Sequence, residues 1–155
     1  MYTAVKWLYL MALIVWLGEI IFFSFVVAPG IFRTLPTLDA GRAVGAIFPT
    51  YYRLGYMCGA VLLLTGMVLL SAAGARVWWS VNTLLAAAML GVTLYAGLVI
   101  QPRATELRPQ IHEPSAAPTV KDEFDRLHRR AVMLNGAVLI GGLVVSVITA
   151  TALRP

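Results

Sequence analysis

The chain predicts an all-α fold: an integral membrane four-helix bundle with short amphipathic interfacial helices in its first and third connections. Three observations carry this. Of 155 residues, 60% are hydrophobic and only 12% are charged, about half the charged share of an ordinary soluble domain. The apolar residues gather in four runs, Trp7–Phe32, Leu54–Ala75, Val77–Ile100 and Ala131–Leu153, and the last three contain no Asp, Glu, Lys or Arg. A hydrocarbon core about 30 Å thick is crossed by roughly 20 helical residues, and each run meets that length. Hydrocarbon gives the backbone no hydrogen-bond partner, so each crossing is expected to be a helix.

Helix 1 is expected over about 3–28. Its run is too long for a signal peptide, and Phe25-Val-Val-Ala28-Pro29 lacks a small-x-small cleavage site, so it reads as a retained helix. Trp7 and Tyr9 suit the headgroup level, where aromatic rings anchor helices. Pro29-Gly30 marks the exit. An interfacial helix is expected over about 37–48, capped by Thr37 or Asp39. Ala40, Val44, Ile47 and Phe48 share its apolar face, which should rest in lipid. Pro49 then opens helix 2, about 50–73, with Tyr51, Tyr52 and Tyr56 at its entry. Helix 3, about 78–101, starts at the Trp78-Trp79 pair and ends at Gln101-Pro102-Arg103. Pro109, Pro114 and Pro118 divide the third connection, where His112 reads as solvated. A second interfacial segment, about 119–128, opens with a Thr119-x-x-Asp122 capping box. It carries Asp122–Arg126 and Asp125–Arg129 pairs at i,i+4 and runs into helix 4, about 129–152. All four crossings form one transmembrane domain, with no room for a separate soluble one.

Lys and Arg set the orientation. The side holding both termini and the second turn carries Lys6, Arg76 and Arg154. The side holding the two long connections carries Arg33, Arg42, Arg53, Arg103, Arg108, Lys121, Arg126, Arg129 and Arg130. The positive-inside rule puts the long connections in the cytoplasm and both termini outside, with a bacterial inner membrane as the expected location. The formal charge of +5 therefore reports orientation. No basic patch alternates with aromatics, so no nucleic-acid partner is expected.

Several motifs fall in a familiar order. Trp16-Leu-Gly18 precedes Phe22-Phe23, Val27-Ala28-Pro29 and Phe32. Arg33-x-Leu35-Pro36, Ala40-Gly41 and Phe48-Pro49-x-Tyr51-Tyr52 follow. Gln101-Pro102-Arg103-Ala104-Thr105 closes helix 3, and Phe124-x-x-Leu127-His128 with Asn135 opens helix 4. The set resembles the transmembrane protein 205-like family of small membrane proteins. The resemblance implies four helices and assigns no activity.

Glu19 is the single charge between Trp7 and Phe32. Ten residues before Pro29, it lies about 15 Å deep at 1.5 Å per residue. A charge there costs about 2.5–3.5 kcal/mol or more, so it should face protein or a water-filled cavity. Tyr95, Asn135 and Thr65 fall in a similar band of depth. A buried polar cluster of Glu19, Tyr95, Asn135 and Thr65 is therefore expected, serving to fix helix register, relay a proton or ion, or line a ligand pocket. Arg53, Arg103, Arg126, His128 and Arg129 are expected as a cytoplasmic-face ring for lipid headgroups or an anionic ligand. Gly55-x-x-x-Gly59 in helix 2 and Gly142-x-x-x-Ser146 in helix 4 are small-residue pairs suited to close packing.

Cys58 is the sole cysteine, which excludes an internal disulfide and a multi-cysteine metal site. Met57, Cys58 and Met67 offer soft sulfur ligands suited to Cu(I). Haem needs histidine inside the bundle, and no histidine lies deep in a crossing. No nucleophile triad, phosphate loop or carboxylate pair is legible. The reading is a non-catalytic membrane protein without a resident cofactor, in contact with membrane lipids. It either self-associates or serves as a subunit of a larger membrane complex. The alternatives are a transporter using Glu19 and a metal- or cofactor-binding redox protein.

Overall fold

The computed structural model describes residues 2–72, 76–111 and 117–152. Four long helices account for nearly all of them. Helix α1 comprises an α-helix Tyr2–Phe22, a π-helical turn Phe23–Val27 and an α-helical end Ala28–Thr34. Helix α2 is Thr37–Ala72. Helix α3 repeats the design of α1: an α-helix Arg76–Tyr95, a π-helical turn Ala96–Ile100 and an α-helical end Gln101–Gln110. Helix α4 is Pro118–Ala152. All four are long and apolar enough to cross a membrane.

The helices run longer than the proline positions suggest. Proline removes one N–H and crowds the carbonyl four residues back. In α1 and α3 a wider turn takes up that strain just before the proline. The Ala28 N–H bonds Phe23 O ahead of Pro29, and the Gln101 N–H bonds Ala96 O ahead of Pro102. Local π adjustments of this kind keep backbone groups satisfied in transmembrane helices. Each helix then continues outward, to Thr34 and Gln110. Pro49 and Pro109 likewise lie inside helices rather than at their starts. The expected separate interfacial helix over 37–48 is thus the first third of one continuous helix.

That first connection shrinks to Leu35 and Pro36. Leu35 is extended (φ −115°, ψ 149°), as the residue before a proline should be. The cap at the start of α2 comes from the backbone, with Ala40 N donating to Pro36 O at 2.9 Å. Helix α4 begins at Pro118, so Thr119 lies inside it and the expected capping box is not used. The Asp122–Arg126 and Asp125–Arg129 pairs do not form. Among the described residues the ion pairs join Arg42 to Asp39 and Arg103 to Glu106 and Glu123.

Sequential helices pack side by side, and α1 against α4 closes the ring. Small residues set the spacing. A Cβ on Gly59 would stand 2.9 Å from Trp16 Cη2 and 2.8 Å from Leu90 Cδ1; one on Gly55 would stand 3.3 Å from Trp16 Nε1. Both glycines thus admit the indole of α1, where a neighbouring backbone was expected. Gly142 admits Leu17 in the same way. Ser146, in contrast, is half-buried and donates to Leu143 O of its own helix at 2.7 Å. Trp16, Tyr9, Ile20, Leu62, Leu69, Trp79 and Val145 form the innermost core.

The outer surface is strongly apolar. Phe25, Met57, Leu84, Leu98, Met133, Ile140 and Val147 are each more than 60% exposed, the surface a bilayer solvates. Two aromatic assignments divide. Trp7 and Trp78 face outward, while Tyr9 and Trp79 are buried against each other, edge to face at 5.3 Å. Consecutive helical residues point about 100° apart, so the Trp78-Trp79 pair cannot serve a single belt.

Candidate functional site

Polar side chains join the helices near both ends of the bundle. Near the end that holds the termini, Asn82 of α3 is fully buried and its Nδ2 donates to Thr149 Oγ1 of α4 at 3.1 Å. The Tyr9 hydroxyl of α1 lies beside the same threonine. Asn82 Oδ1 is buried without a hydrogen-bond partner. Its signal in the sequence was an amide inside an uncharged apolar run.

At the arginine-rich end the polar contacts link three helices. Tyr51 of α2 donates its hydroxyl hydrogen to Asn135 Oδ1 at 2.6 Å, and Asn135 Nδ2 donates to Ser24 Oγ at 3.1 Å. Asn135 was expected in a polar cluster; Tyr51 and Ser24 were not its expected partners. Tyr95 is 47% exposed on the outer surface. Thr65 spends its hydroxyl on Val61 O, four residues back in its own helix, at 2.6 Å. Neither joins Asn135. Glu19 is half-buried, within electrostatic reach of Tyr51 and Cys58, and its Oε2 is enclosed without a hydrogen-bond partner.

Around the Tyr51–Asn135–Ser24 chain lies a cleft of about 370 Å³. Phe23, Ser24, Phe48, Tyr51, His128 and Asn135 are among the residues that line it. This volume is within the ordinary range for small-molecule sites, which are apolar pockets with a few placed polar groups. Phe23, Phe48, Tyr51 and Tyr52 make a continuous aromatic wall, with centroid separations from 5.1 to 6.2 Å. The π-helical turns position this wall. The first carries Phe23 and Ser24. The second carries Gly97, where any Cβ would collide with the Tyr52 ring and the Tyr56 hydroxyl. Behind the wall a void of about 10 Å³ reaches Trp16, Thr93 and Ala96, close to the lower limit for one water.

Part of the apolar face at the start of α2 packs on protein. Ala40 is fully buried and Val44 nearly so. Arg108 of α3 reaches across Gly45 and donates from Nη1 to Gly41 O at 2.8 Å. The desolvation of that guanidinium lowers its pKa from the usual arginine value.

The expected basic ring is only partly free. Arg103 Nε donates to Glu123 Oε1 at 2.8 Å, and this pairing raises its pKa. Arg53 Nε donates to Pro49 O at 3.0 Å. Arg126, His128 and Arg129 are exposed, and the imidazole of His128 stacks on Phe124 at 6.3 Å. The soft ligands diverge: Met57 and Met67 are 67% and 46% exposed, whereas Cys58 is buried. Among the described residues no three His, Cys, Asp or Glu side chains are grouped to hold a metal. His112 lies outside the described residues.

The fold and site define a multi-pass helical membrane protein with an apolar cleft, polar at its floor, near one end of the bundle. The chain belongs to the family described as "Domain of unknown function (DUF4149)", whose family model matches residues 11–113. The match spans α1 to α3, so Ser24 and Tyr51 fall inside it and Asn135 beyond it. No curated protein and no solved structure matches the chain.

Proposed function

We propose that this protein is a non-catalytic membrane bundle that holds an amphipathic lipid in the cleft between α1, α2 and α4. It acts as a self-associating protein or as a small subunit of a larger membrane complex. The observation that supports this is the cleft itself, apolar along its walls and polar at its Tyr51–Asn135–Ser24 floor. In the proposed setting, a bacterial inner membrane with both termini outside the cytoplasm, the cleft opens toward the cytoplasmic leaflet. Membership of the transmembrane protein 205-like group is part of the proposal, carried by the ordered motifs. The test is lipid retention by the purified protein, read by native mass spectrometry. One lipid should survive delipidation in the wild type. Val132→Trp, which places an indole in the cleft, should release it; retention by that variant would remove the reading.

A second reading follows from Glu19, whose enclosed oxygen lacks a partner. Intramembrane carboxylates without a partner are functional candidates by default, here for passage of a proton or cation. Vesicles containing the protein should then show a cation or proton flux that Glu19→Gln abolishes. Equal flux from both forms would end that reading.

A further inference from the structure

Serine and threonine inside helices ordinarily donate their hydroxyl hydrogen to the carbonyl three or four residues back. This chain follows the rule through its apolar core. Thr65, Thr83, Thr93, Ser146 and Thr149 all do so, at 2.6–2.8 Å. Ser24 does not. It lies in the π-helical turn Phe23–Val27, and its oxygen accepts from Asn135 Nδ2. Asn135 turns Oδ1 to the Tyr51 hydroxyl and Nδ2 to Ser24. The Ser24 hydrogen is left unspent among the described residues, on the floor of the cleft.

A free hydroxyl donor at the floor of an apolar cleft selects an acceptor, and depth selects which one. Asn135 lies six residues inward from Arg129, about 9 Å along α4. The polar layers on the two sides of a bilayer add together about 10–15 Å to its hydrocarbon core. With Arg129 at headgroup level, Ser24 and Asn135 meet the boundary between headgroups and hydrocarbon. Glycerol ester carbonyls occupy that boundary, and they are acceptors without a donor of their own. His128 at the mouth offers a polar contact on the headgroup side, and the exposed Val132 lines the cleft between His128 and Asn135.

Building on the lipid-holding reading, we propose that the cleft recognises a diacyl glycerophospholipid through one ester carbonyl, which accepts the hydrogen of Ser24. The π-helical turn serves this by keeping the serine from bonding its own helix.

The experiment is a competition in native mass spectrometry. Purified protein receives equal amounts of a diacyl phosphatidylglycerol and its dialkyl ether analogue, which has the same headgroup and chain length but no ester carbonyl. The wild type should prefer the ester lipid about 5-fold, the size of one neutral hydrogen bond. Ser24→Ala should bind both equally, and Ser24→Thr, which keeps the hydroxyl, should restore the preference. Circular dichroism and size-exclusion profiles of the variants verify folding. Equal binding of the two lipids by the wild type overturns the proposal, as does an ester preference that persists in Ser24→Ala. Recovery of an isoprenoid quinone in place of phospholipid also overturns it. These outcomes are separate from failure of the parent reading, which shows as lipid retained by Val132→Trp.

Discussion

The interhelical polar groups around Asn82 and Asn135 use the same chemistry to different ends. Both centre on an asparagine: Asn82 in α3 and Asn135 in α4. Asn82 is fully enclosed, makes one hydrogen bond across the bundle, and leaves its oxygen unpaired. Asn135 is half-buried, uses both its oxygen and its nitrogen, and borders the cleft. A closed group that is incompletely bonded suits helix register. An open chain ending in a free donor suits recognition. Enclosure, more than polarity, separates a structural contact from a candidate site.

The strongest challenge to this comparison is the partition between the two levels. Trp16 is 2% exposed and covers Gly55 and Gly59. Trp16→Ala should cost about 3–5 kcal/mol, read by unfolding in mixed micelles. It should also enlarge the 10 Å³ void behind the aromatic wall. A loss below about 1 kcal/mol would mean that the two levels are not divided by this ring.

Asn135→Leu comes next, with a cost of about 1–2 kcal/mol for two transmembrane hydrogen bonds. Asn82→Leu should cost less than about 1 kcal/mol, because it removes one hydrogen bond together with a buried unpaired oxygen. The same unfolding measurement ranks them, and an inverted order would break the comparison. The smallest effect belongs to Arg103→Gln, which removes an exposed ion pair between α3 and α4. Its slight destabilisation should disappear at high salt. A loss that persists there would show a role beyond the ion pair.

Direction around each helix was not legible in the sequence. Counting at 1.5 Å per residue gathered Asn135 with Tyr95 and Thr65. Tyr95 faces the outer surface and Thr65 bonds its own helix, so neither meets Asn135. The π-helical turns explain part of this. Each one departs from the 3.6-residue period on which facing arguments depend. Tyr95 immediately precedes one turn and Ser24 lies inside the other. Tyr51 and Tyr52 mark only the entry of helix 2 in sequence, yet they are 8% and 9% exposed. The first π turn offers them Phe23, and Gly97 in the second leaves room for Tyr52.

By itself the amino-acid sequence determined four membrane-length helices, their antiparallel order and the excess of positive charge at one end. These depend on hydropathy and length, which are local properties. It also marked Gly55, Gly59 and Gly142 as places of close packing, since a missing side chain always leaves room. Only the tertiary structure decided what fills that room, where the helices end and which polar groups meet. Proline removes a single hydrogen bond, and packing against neighbours can carry a helix past it. A polar side chain in an apolar helix has few partners available, and which one it reaches depends on the rotation of every helix about its axis. That rotation joined Asn135 to Tyr51 and Ser24 and opened the cleft beside them.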